Sequence, residues 1–216
     1  MKIGIYSYAT NDLNSDIISY QKQVFRSFNL DIQQVILDRL PPLNINDPYN
    51  YNAHADTLNN IIKTSSEDYI IFFDIDCIPL TYDFYDIICD DISKNILSGA
   101  VGCANHKDKN KLYVHPCFMG FSKTLYMECE CPNFRQYVLG DVGQMFTDVC
   151  ISQHKKLKYW NITDSKDKIW DVTPLQQQFG HGTVFENMIY HQFEIRKQEQ
   201  HDSFINKCKY VLSNNS

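Results

Sequence analysis

The sequence lacks any hydrophobic run long enough to cross a membrane. Its most apolar stretch, Tyr69–Phe73, has five residues, whereas a membrane-spanning helix needs about 20. The N-terminus shows no signal-peptide pattern and leads directly into a predicted strand at Lys2. We therefore expect no transmembrane segment and a cytoplasmic location.

An excess of positive charge is also missing. The chain has 20 lysine and arginine residues against 26 aspartate and glutamate residues, which gives a formal net charge of −6 at pH 7. Proteins that bind the phosphates of nucleic acids carry broad basic surfaces instead. We therefore expect no nucleic-acid partner.

Cysteine pairs with metal-binding spacing are absent from the sequence. The eight cysteines are scattered without a Cys-x-x-Cys motif, and Cys129 and Cys131 are too close together for the usual zinc spacing. In a chain with no secretion signal, such thiols are expected to be reduced and to act as small core residues.

The first half of the sequence contains a β-α-β-α-β pattern. Apolar alternation and helical spacing predict these elements over Lys2–Tyr8, Ser15–Phe28, Ile32–Leu37, Ala53–Thr64 and Tyr69–Phe73. The polar segment Leu43–Asn52 predicts a loop. Tyr69–Phe73 is apolar throughout, which is typical of a strand covered by helices on both faces. In Rossmann-like folds of this kind, ligands bind beyond the carboxyl ends of the strands.

The second half is less regular. Its patterns predict helices over Phe84–Ile92, Lys123–Cys129, Gly140–His154 and Ser203–Leu212, and strands over Gly99–Ala104, Tyr113–Phe121 and Met188–Ile195. Asp141 is placed to cap the helix expected from Gly140, and the glycines in Gln178–Thr183 predict a loop. A chain of 216 residues fits a single domain, 1–216.

Two aspartates directly follow the buried third strand. Asp74 and Asp76, in the sequence FFDIDCIPL, are two residues apart, and Pro79 stiffens the turn beyond them. Two ionised carboxylates at the end of a buried strand are costly unless a cation or hydrogen-bond donors meet them. Carboxylate oxygens are the ligands that Mg²⁺ and Mn²⁺ prefer, and such an ion can also bind phosphate oxygens.

At these residues the chain resembles the GT-A glycosyltransferases, in which an apolar strand leads into an Asp-x-Asp-x-x-Pro motif. The resemblance implies an α/β, GT-A (Rossmann-like) three-layer sandwich with a mixed, mainly parallel central sheet. It also implies a nucleotide-binding half, 1–104, and an acceptor-binding half, 105–216. The implied activity is Mn²⁺- or Mg²⁺-dependent transfer of a hexosyl or deoxyhexosyl group from a nucleotide-sugar to a glycan or glycoprotein.

The resemblance further implies the metal ligands. Asp76 corresponds to the principal ligand and Asp74 to a partner that contacts metal, ribose or sugar. The third ligand is often a histidine late in the domain, for which His191 in ENMIYHQFEIR is the best match. A packed or surface histidine is the alternative for His191. His181, in a Gly-His-Gly segment that could close over the donor, is the substitute.

A nucleotide pocket is implied at the ends of the first two strands. It comprises Ser7, Tyr8, Ala9 and Thr10, with Asp38 after the second strand, and it continues to Asp74 and Ile75. A carboxylate at Asp38 that accepts the imide N–H of uracil would favour a UDP-sugar donor. Asp38 could equally be a helix cap or a solvated turn residue.

An inverting enzyme of this kind needs a general base for the acceptor hydroxyl. Asp141 in LGDVGQ is the candidate base, with a plain helix cap as its alternative and Asp148 as the second candidate.

The acceptor side is expected along Tyr113–Phe121. His115 is a candidate there, whereas core packing is the favoured interpretation of Phe118 and Phe121. Tyr49 and Tyr51, in the polar loop, are further candidates for contact with the acceptor.

Three other functions compete with this interpretation. A haloacid-dehalogenase-like phosphatase also has a strand that ends in Asp-x-Asp, but its motif usually opens the domain and is followed by Thr or Val where this chain has Ile78. A nucleotidyltransferase would need a basic, glycine-rich loop after the first strand. A non-catalytic binding protein of the same fold stays open.

Overall fold

The computed structural model describes residues 2–38, 51–104, 108–138 and 140–215. In chain order its elements are β1 Ile3–Thr10, α1 Ser15–Ser27, β2 Gln33–Leu37, α2 Tyr51–Thr64, β3 Tyr69–Asp74, β4 Cys77–Pro79, α3 Asp83–Ser93, β5 Leu97–Ala104, β6 Asp108–Ser122, α4 Lys123–Glu128, α5 Gln144–Ser152, β7 Leu157–Trp160, β8 Ile162–Val172, a 3-10 turn Thr173–Leu175, β9 Gln177–Phe185, β10 Ile189–Gln192 and α6 Gln198–Asn214. The five elements predicted for the first half are all present, with small changes at their ends.

The central sheet has six strands in the order β2-β1-β3-β6-β5-β7. β1 pairs parallel with β2 and with β3, and β5 pairs parallel with β7. β6 runs antiparallel to both of its neighbours, β3 and β5. The sheet is therefore mixed and mainly parallel, as predicted, and β6 of the second half of the chain lies between β3 and β5 of the first.

Helices cover both faces of this sheet because the central strands are apolar on both faces. On one face, Phe73 of β3 packs against Phe25 of α1 and Phe84 of α3. On the other, Phe72 lies in a second cluster with Ile61 of α2 and Phe146 of α5. β3 is buried from Ile70 to Phe73. This arrangement is the predicted three-layer sandwich.

A second sheet, in the order β4-β10-β9-β8, is antiparallel throughout. β9 corrects the loop predicted for Gln178–Thr183, since the glycines there continue a strand. A β-carbon at Gly180 would meet the backbone oxygen of Lys166 at 2.1 Å. Glycine at this position therefore permits a close approach of two strands, which a sequence pattern does not distinguish from a loop.

The helix predicted from Gly140 starts later. α5 begins at Gln144, and its N-cap is Gly143, whose φ of 75° lies in the left-handed region. Glycine adopts that conformation without a steric penalty. Asp141 precedes the helix and is not its N-cap, so the capping interpretation of Asp141 was wrong.

Most of the cysteines lie in the core. Seven of the eight are buried, and Cys131 is exposed. Among the described residues, no helix is both long enough and apolar enough to span a bilayer.

Candidate metal centre and adjoining cavity

Three side chains meet where β3 ends. Asp74 is the last residue of β3, and Asp76 precedes β4, so both carboxylates lie in the short turn between these strands. β10 pairs with β4 so that His191 is opposite Cys77, and the N–H of Gln192 donates to the carbonyl of Asp76 over 2.9 Å. Strand pairing thus brings His191 to two aspartates that are 117 and 115 positions earlier (191 − 74 and 191 − 76).

The distances between these side chains fit a divalent metal ion. Nε2 of His191 lies 3.4 Å from Oδ1 of Asp76 and 4.0 Å from Oδ2 of Asp74, and one ligand atom from each residue lies within 4.8 Å of the others. Two ligands at right angles around Mg²⁺, each about 2.1 Å from the ion, are about 3 Å apart. Small side-chain movements would bring these atoms to that spacing.

In the absence of metal, the charge of His191 balances the carboxylates. Burial lowers its pKa, but the neighbouring Cys117 sulfur and the Asp76 carboxylate outweigh burial and raise the pKa of His191 to about 10. His191 is only 3 % exposed. A metal ion bound at Nε2 would displace this proton, because a histidine ligand must be neutral.

Gln21 of α1 holds the backbone of the aspartate turn. Its side chain is fully buried, and Nε2 donates to the carbonyls of Asp74, at 2.8 Å, and Cys77, at 3.0 Å. Gln34 of β2 in turn donates to Oε1 of Gln21 at 3.0 Å. This role was not predicted from the sequence. Its one signal was a glutamine on the apolar face of α1, between Ile17 and Val24.

His54 of α2 was also missed. Its Nε2 lies 3.4 Å from Oδ1 of Asp74. Its ring stacks on Tyr8, with centroids 5.3 Å apart and planes at 11°. His54 therefore connects the end of β1 to the metal centre. No local pattern indicates this, because the contacts of His54 are with residues distant in the sequence.

A cavity of about 600 Å³ adjoins the metal centre through Asp74. It is lined by one acidic residue of the metal centre, several rings and a few polar side chains: His54, Asp74, Gly102, Cys103, Tyr113, His115, Pro116, Gln136, Asp141, Val142, Trp170, Phe179 and Phe193. Its size and mixture of apolar walls with few polar groups are typical of small-molecule sites.

The two candidate bases have different surroundings. Asp141 lines the cavity, and its Oδ1 accepts hydrogen bonds from Gln136 Nε2 at 3.1 Å and from the N–H of Val142 at 2.8 Å. Asp148 instead pairs with Lys111 at 2.8 Å and accepts a hydrogen bond from the Tyr137 hydroxyl. Asp148 is not among the described residues that line the cavity.

The residues predicted to hold the nucleotide lie along one edge of the central sheet. Tyr8 is opposite Asp74, and Thr10 is opposite Leu37, next to Asp38. The Thr10 hydroxyl accepts a hydrogen bond from Arg196 at 2.5 Å, and the exposed Asp38 accepts one from Asn11 Nδ2 at 2.6 Å.

The other three predicted nucleotide residues are more enclosed. Ala9 is buried, and Ile75 is partly buried against the same apolar cluster as Ala9. Ser7 is buried, and among the described residues nothing hydrogen-bonds its hydroxyl oxygen. The structure thus brings the predicted nucleotide residues to the aspartate edge, although Asp74 alone of this set lines the cavity.

The remaining candidates divide between the cavity and the core. His115 lines the cavity, and its Nδ1 accepts the N–H of Cys117 at 3.0 Å. Phe118 and Phe121 are fully buried, which confirms core packing for both. His181 lies on β9 and contacts Glu194 at 2.8 Å, outside the cavity. Tyr49 and the side chain of Tyr51 are outside the described residues.

The chain resembles known proteins in its fold and not in its sequence. No protein family model matches the chain, and no curated protein matches its sequence. The galactosyltransferase LgtC, solved in complex with donor and acceptor sugar analogues, superposes with a TM-score of 0.55 at 13% identity and covers 98% of this chain and 95% of its own. The chain has the GT-A fold. The structural expectation drawn from the resemblance is therefore confirmed.

Two further solved structures match this chain with TM-scores of 0.48. The Drosophila β-1,4-galactosyltransferase 7 mutant with manganese, UDP-Gal and xylobiose has a TM-score of 0.48 at 14% identity, over 76% of this chain and 67% of that one. The mannosyltransferase PcManGT from Pyrobaculum calidifontis, with GDP-Man and Mn²⁺, has a TM-score of 0.48 at 10% identity, over 73% of this chain and 54% of that one. The chain therefore spans about half the length of PcManGT.

Proposed function

We propose that the chain is a metal-dependent glycosyltransferase that moves a hexosyl or deoxyhexosyl group from a UDP-sugar to a hydroxyl of a glycan or glycoprotein. The observation that carries the proposal is the cluster of Asp74, Asp76 and His191 beside a cavity, at the carboxyl edge of a GT-A sheet. In such sheets this edge is where ligands bind.

The metal would be Mn²⁺ or Mg²⁺, held by Asp76, His191 and Asp74. When bound, it supplies a Lewis acid that stabilises the negative charge of a departing diphosphate. The need for a cation follows from the cavity. Among the described residues, no lysine or arginine lines it, whereas the carboxylates of Asp74 and Asp141 do, so two phosphate groups would otherwise lie near negative charge without a lysine or arginine to offset it.

The nucleotide would lie along the edge formed by Ser7, Tyr8, Ala9 and Thr10. The preference for uracil rests on Asp38, whose carboxylate is exposed and placed after β2. Tyr8 contributes an aromatic ring that stacks on His54. We assign the donor to the 1–104 half and most of the acceptor site to the 105–216 half.

Asp141 is the proposed general base of an inverting reaction. Both hydrogen bonds that its carboxylate accepts go to Oδ1, and no described residue hydrogen-bonds Oδ2. One carboxylate oxygen is therefore held in place while the other can accept the proton of an acceptor hydroxyl in the cavity. We place this activity in the cytoplasm, because seven of the eight cysteines are buried, as expected of reduced thiols that act as small core residues.

The test is release of UDP from a panel of UDP-sugars, with and without Mn²⁺, in the wild type and in Asp76→Asn. The matched control is Asp90→Asn, which removes one negative charge from an exposed position of α3. We expect Mn²⁺-dependent release that Asp90→Asn preserves and Asp76→Asn abolishes. Turnover of p-nitrophenyl phosphate that depends on Asp74 would instead support the phosphatase. Binding of UDP and Mn²⁺ without any release would support the non-catalytic alternative.

A further inference from the structure

We propose that the acceptor is a neutral saccharide whose ring stacks on Trp170. This inference rests on the proposed function, because it assigns the acceptor to the cavity beside the metal centre. It concerns Trp170 and Phe179 on the β8–β9 hairpin and Phe193 just after β10, three residues for which the sequence predicted no functional role.

Three aromatic side chains form one wall of the cavity. Trp170 of β8 stacks on Phe179 of β9, with centroids 4.7 Å apart and planes at 8°. Phe193 meets Trp170 edge-on, with centroids 5.1 Å apart and planes at 89°. All three line the cavity that also contains Asp74 and Asp141. We call these three residues the aromatic wall.

Strand pairing fixes the orientation of the aromatic wall. Trp170 and Phe179 are directly paired across the two strands, so their side chains lie on the same face of the sheet. The register shifts between Lys168 and Trp170, and such irregularities re-aim side chains next to sites. Phe179 is 2 % exposed, whereas Trp170 is only partly buried. The indole is therefore the member of the stacked pair that a ligand can reach.

The chemistry of the cavity selects a neutral, hydroxyl-bearing ligand. An aromatic face packs against the C–H surface of a sugar ring. Gln136 and Asp141, which are hydrogen-bonded to each other at 3.1 Å, supply the polar groups that sugar hydroxyls need. The cavity has carboxylates and, in the part of the chain that the structure describes, no lysine or arginine. We therefore expect a phosphorylated or carboxylated acceptor to bind more weakly than a neutral one, because it would lie against the Asp141 carboxylate.

The chain contains an internal control for a binding experiment. It has two tryptophans, and Trp160 is 1 % exposed with its indole N–H donated to Ser98 at 2.9 Å. A ¹H–¹⁵N spectrum therefore has one indole resonance in the core and one at the cavity. The probes are lactose, maltose and cellobiose, each compared with glucose 6-phosphate and glucuronic acid, without any donor. We expect the neutral sugars to shift the Trp170 resonance and to leave that of Trp160 in place.

Substitutions extend the test to turnover. We expect Trp170→Ala to raise the acceptor KM about tenfold and to change the donor KM by less. The acceptor KM of Trp170→Phe should lie between those of the wild type and Trp170→Ala. The control is Ile169→Ala, an exposed neighbour on the same strand. Trp170 indole shifts that are larger with the anionic sugars, or no shift with any sugar at millimolar concentration, would overturn the inference. So would an equal effect of Trp170→Ala and Ile169→Ala on the acceptor KM.

The two proposals fail separately. If the wild type releases no UDP from any UDP-sugar, the transferase proposal fails, and the spectrum still shows whether the aromatic wall binds neutral sugars. If the enzyme transfers sugar to an anionic acceptor with Trp170 unperturbed, the saccharide inference fails and the transferase proposal stands.

Discussion

The metal centre and the aromatic wall border the same cavity, but different forces hold them. The candidate metal centre consists of two aspartates on a short turn and His191 on β10. The backbone of the turn is held by hydrogen bonds from the Gln21 side chain and the Gln192 N–H. The aromatic wall consists of two stacked rings on the β8–β9 hairpin, in which most β8 positions are exposed, and of Phe193, which meets Trp170 edge-on. Substitutions in the first region should therefore change charge and chemistry, whereas those in the second should change how well the acceptor packs.

The largest effect is expected from Asp76→Asn. A metal ligand lost from this centre removes several kcal/mol of transition-state stabilisation, which lowers kcat at least about 10³-fold. The increase in melting temperature that Mn²⁺ gives the wild type should disappear as well. Initial rates and thermal unfolding with and without Mn²⁺ measure both effects. A variant that keeps its Mn²⁺-dependent rate would remove Asp76 from the metal centre.

A smaller effect is expected from Asp141→Asn. Loss of a general base typically costs about 10²- to 10⁴-fold in rate, and we expect the low end, because the amide keeps the hydrogen bond from Val142. Calorimetry should show UDP and Mn²⁺ still binding. Asp148→Asn is the comparison. If Asp148→Asn loses more rate than Asp141→Asn while remaining folded, the assignment of the base is wrong.

The contribution of Gln21 to holding the aspartate turn can be tested with Gln21→Leu. This change leaves the carbonyls of Asp74 and Cys77 without their buried donor, and we expect a loss of about 2 to 3 kcal/mol in the free energy of unfolding. Gln23→Leu, at an exposed position of the same helix, is the control. Urea unfolding of both variants gives the comparison. Equal stability of the two would show that Gln21 does not hold the aspartate turn.

The smallest effect is the pH dependence of metal binding. A proton must leave His191, whose pKa is raised from 6.5 to about 10, so Mn²⁺ affinity should rise up to about tenfold per pH unit between about pH 6.5 and 8. The folding stability of the metal-free protein depends on pH in the opposite direction. Stability from the raised pKa is complete below pH 6.5 and is lost as pH rises through about 10. Calorimetry in buffers of different ionisation enthalpy measures the released proton, and pH-independent Mn²⁺ affinity would contradict this account.

The sequence predicted the core of the fold better than its periphery. β1 and β3 were predicted because their residues are apolar and buried in the centre of the sheet. β7 and β8 were missed because they lie at sheet edges, and β8 has mostly exposed, polar residues without alternation. β9 was mistaken for a loop because its glycines serve close strand packing.

The same distinction applies to the site. Asp74 and Asp76 could be predicted, because two aspartates at this spacing at the end of a buried strand are enough to indicate a metal site. His54, Gln21 and Trp170 could not, because their roles depend on partners brought close only by the fold. His191 was found through resemblance, and strand pairing brings it to the two aspartates.

The most direct test of the metal centre is the electron spin echo spectrum of Mn²⁺ bound in the presence of UDP. We predict a nitrogen coupling from a histidine ligand in the wild type, its loss in His191→Gln, and its retention in His54→Gln, since His54 contacts Asp74 without belonging to the three-residue centre. Absence of Mn²⁺ uptake even with UDP, or a nitrogen coupling that survives His191→Gln, would contradict the account.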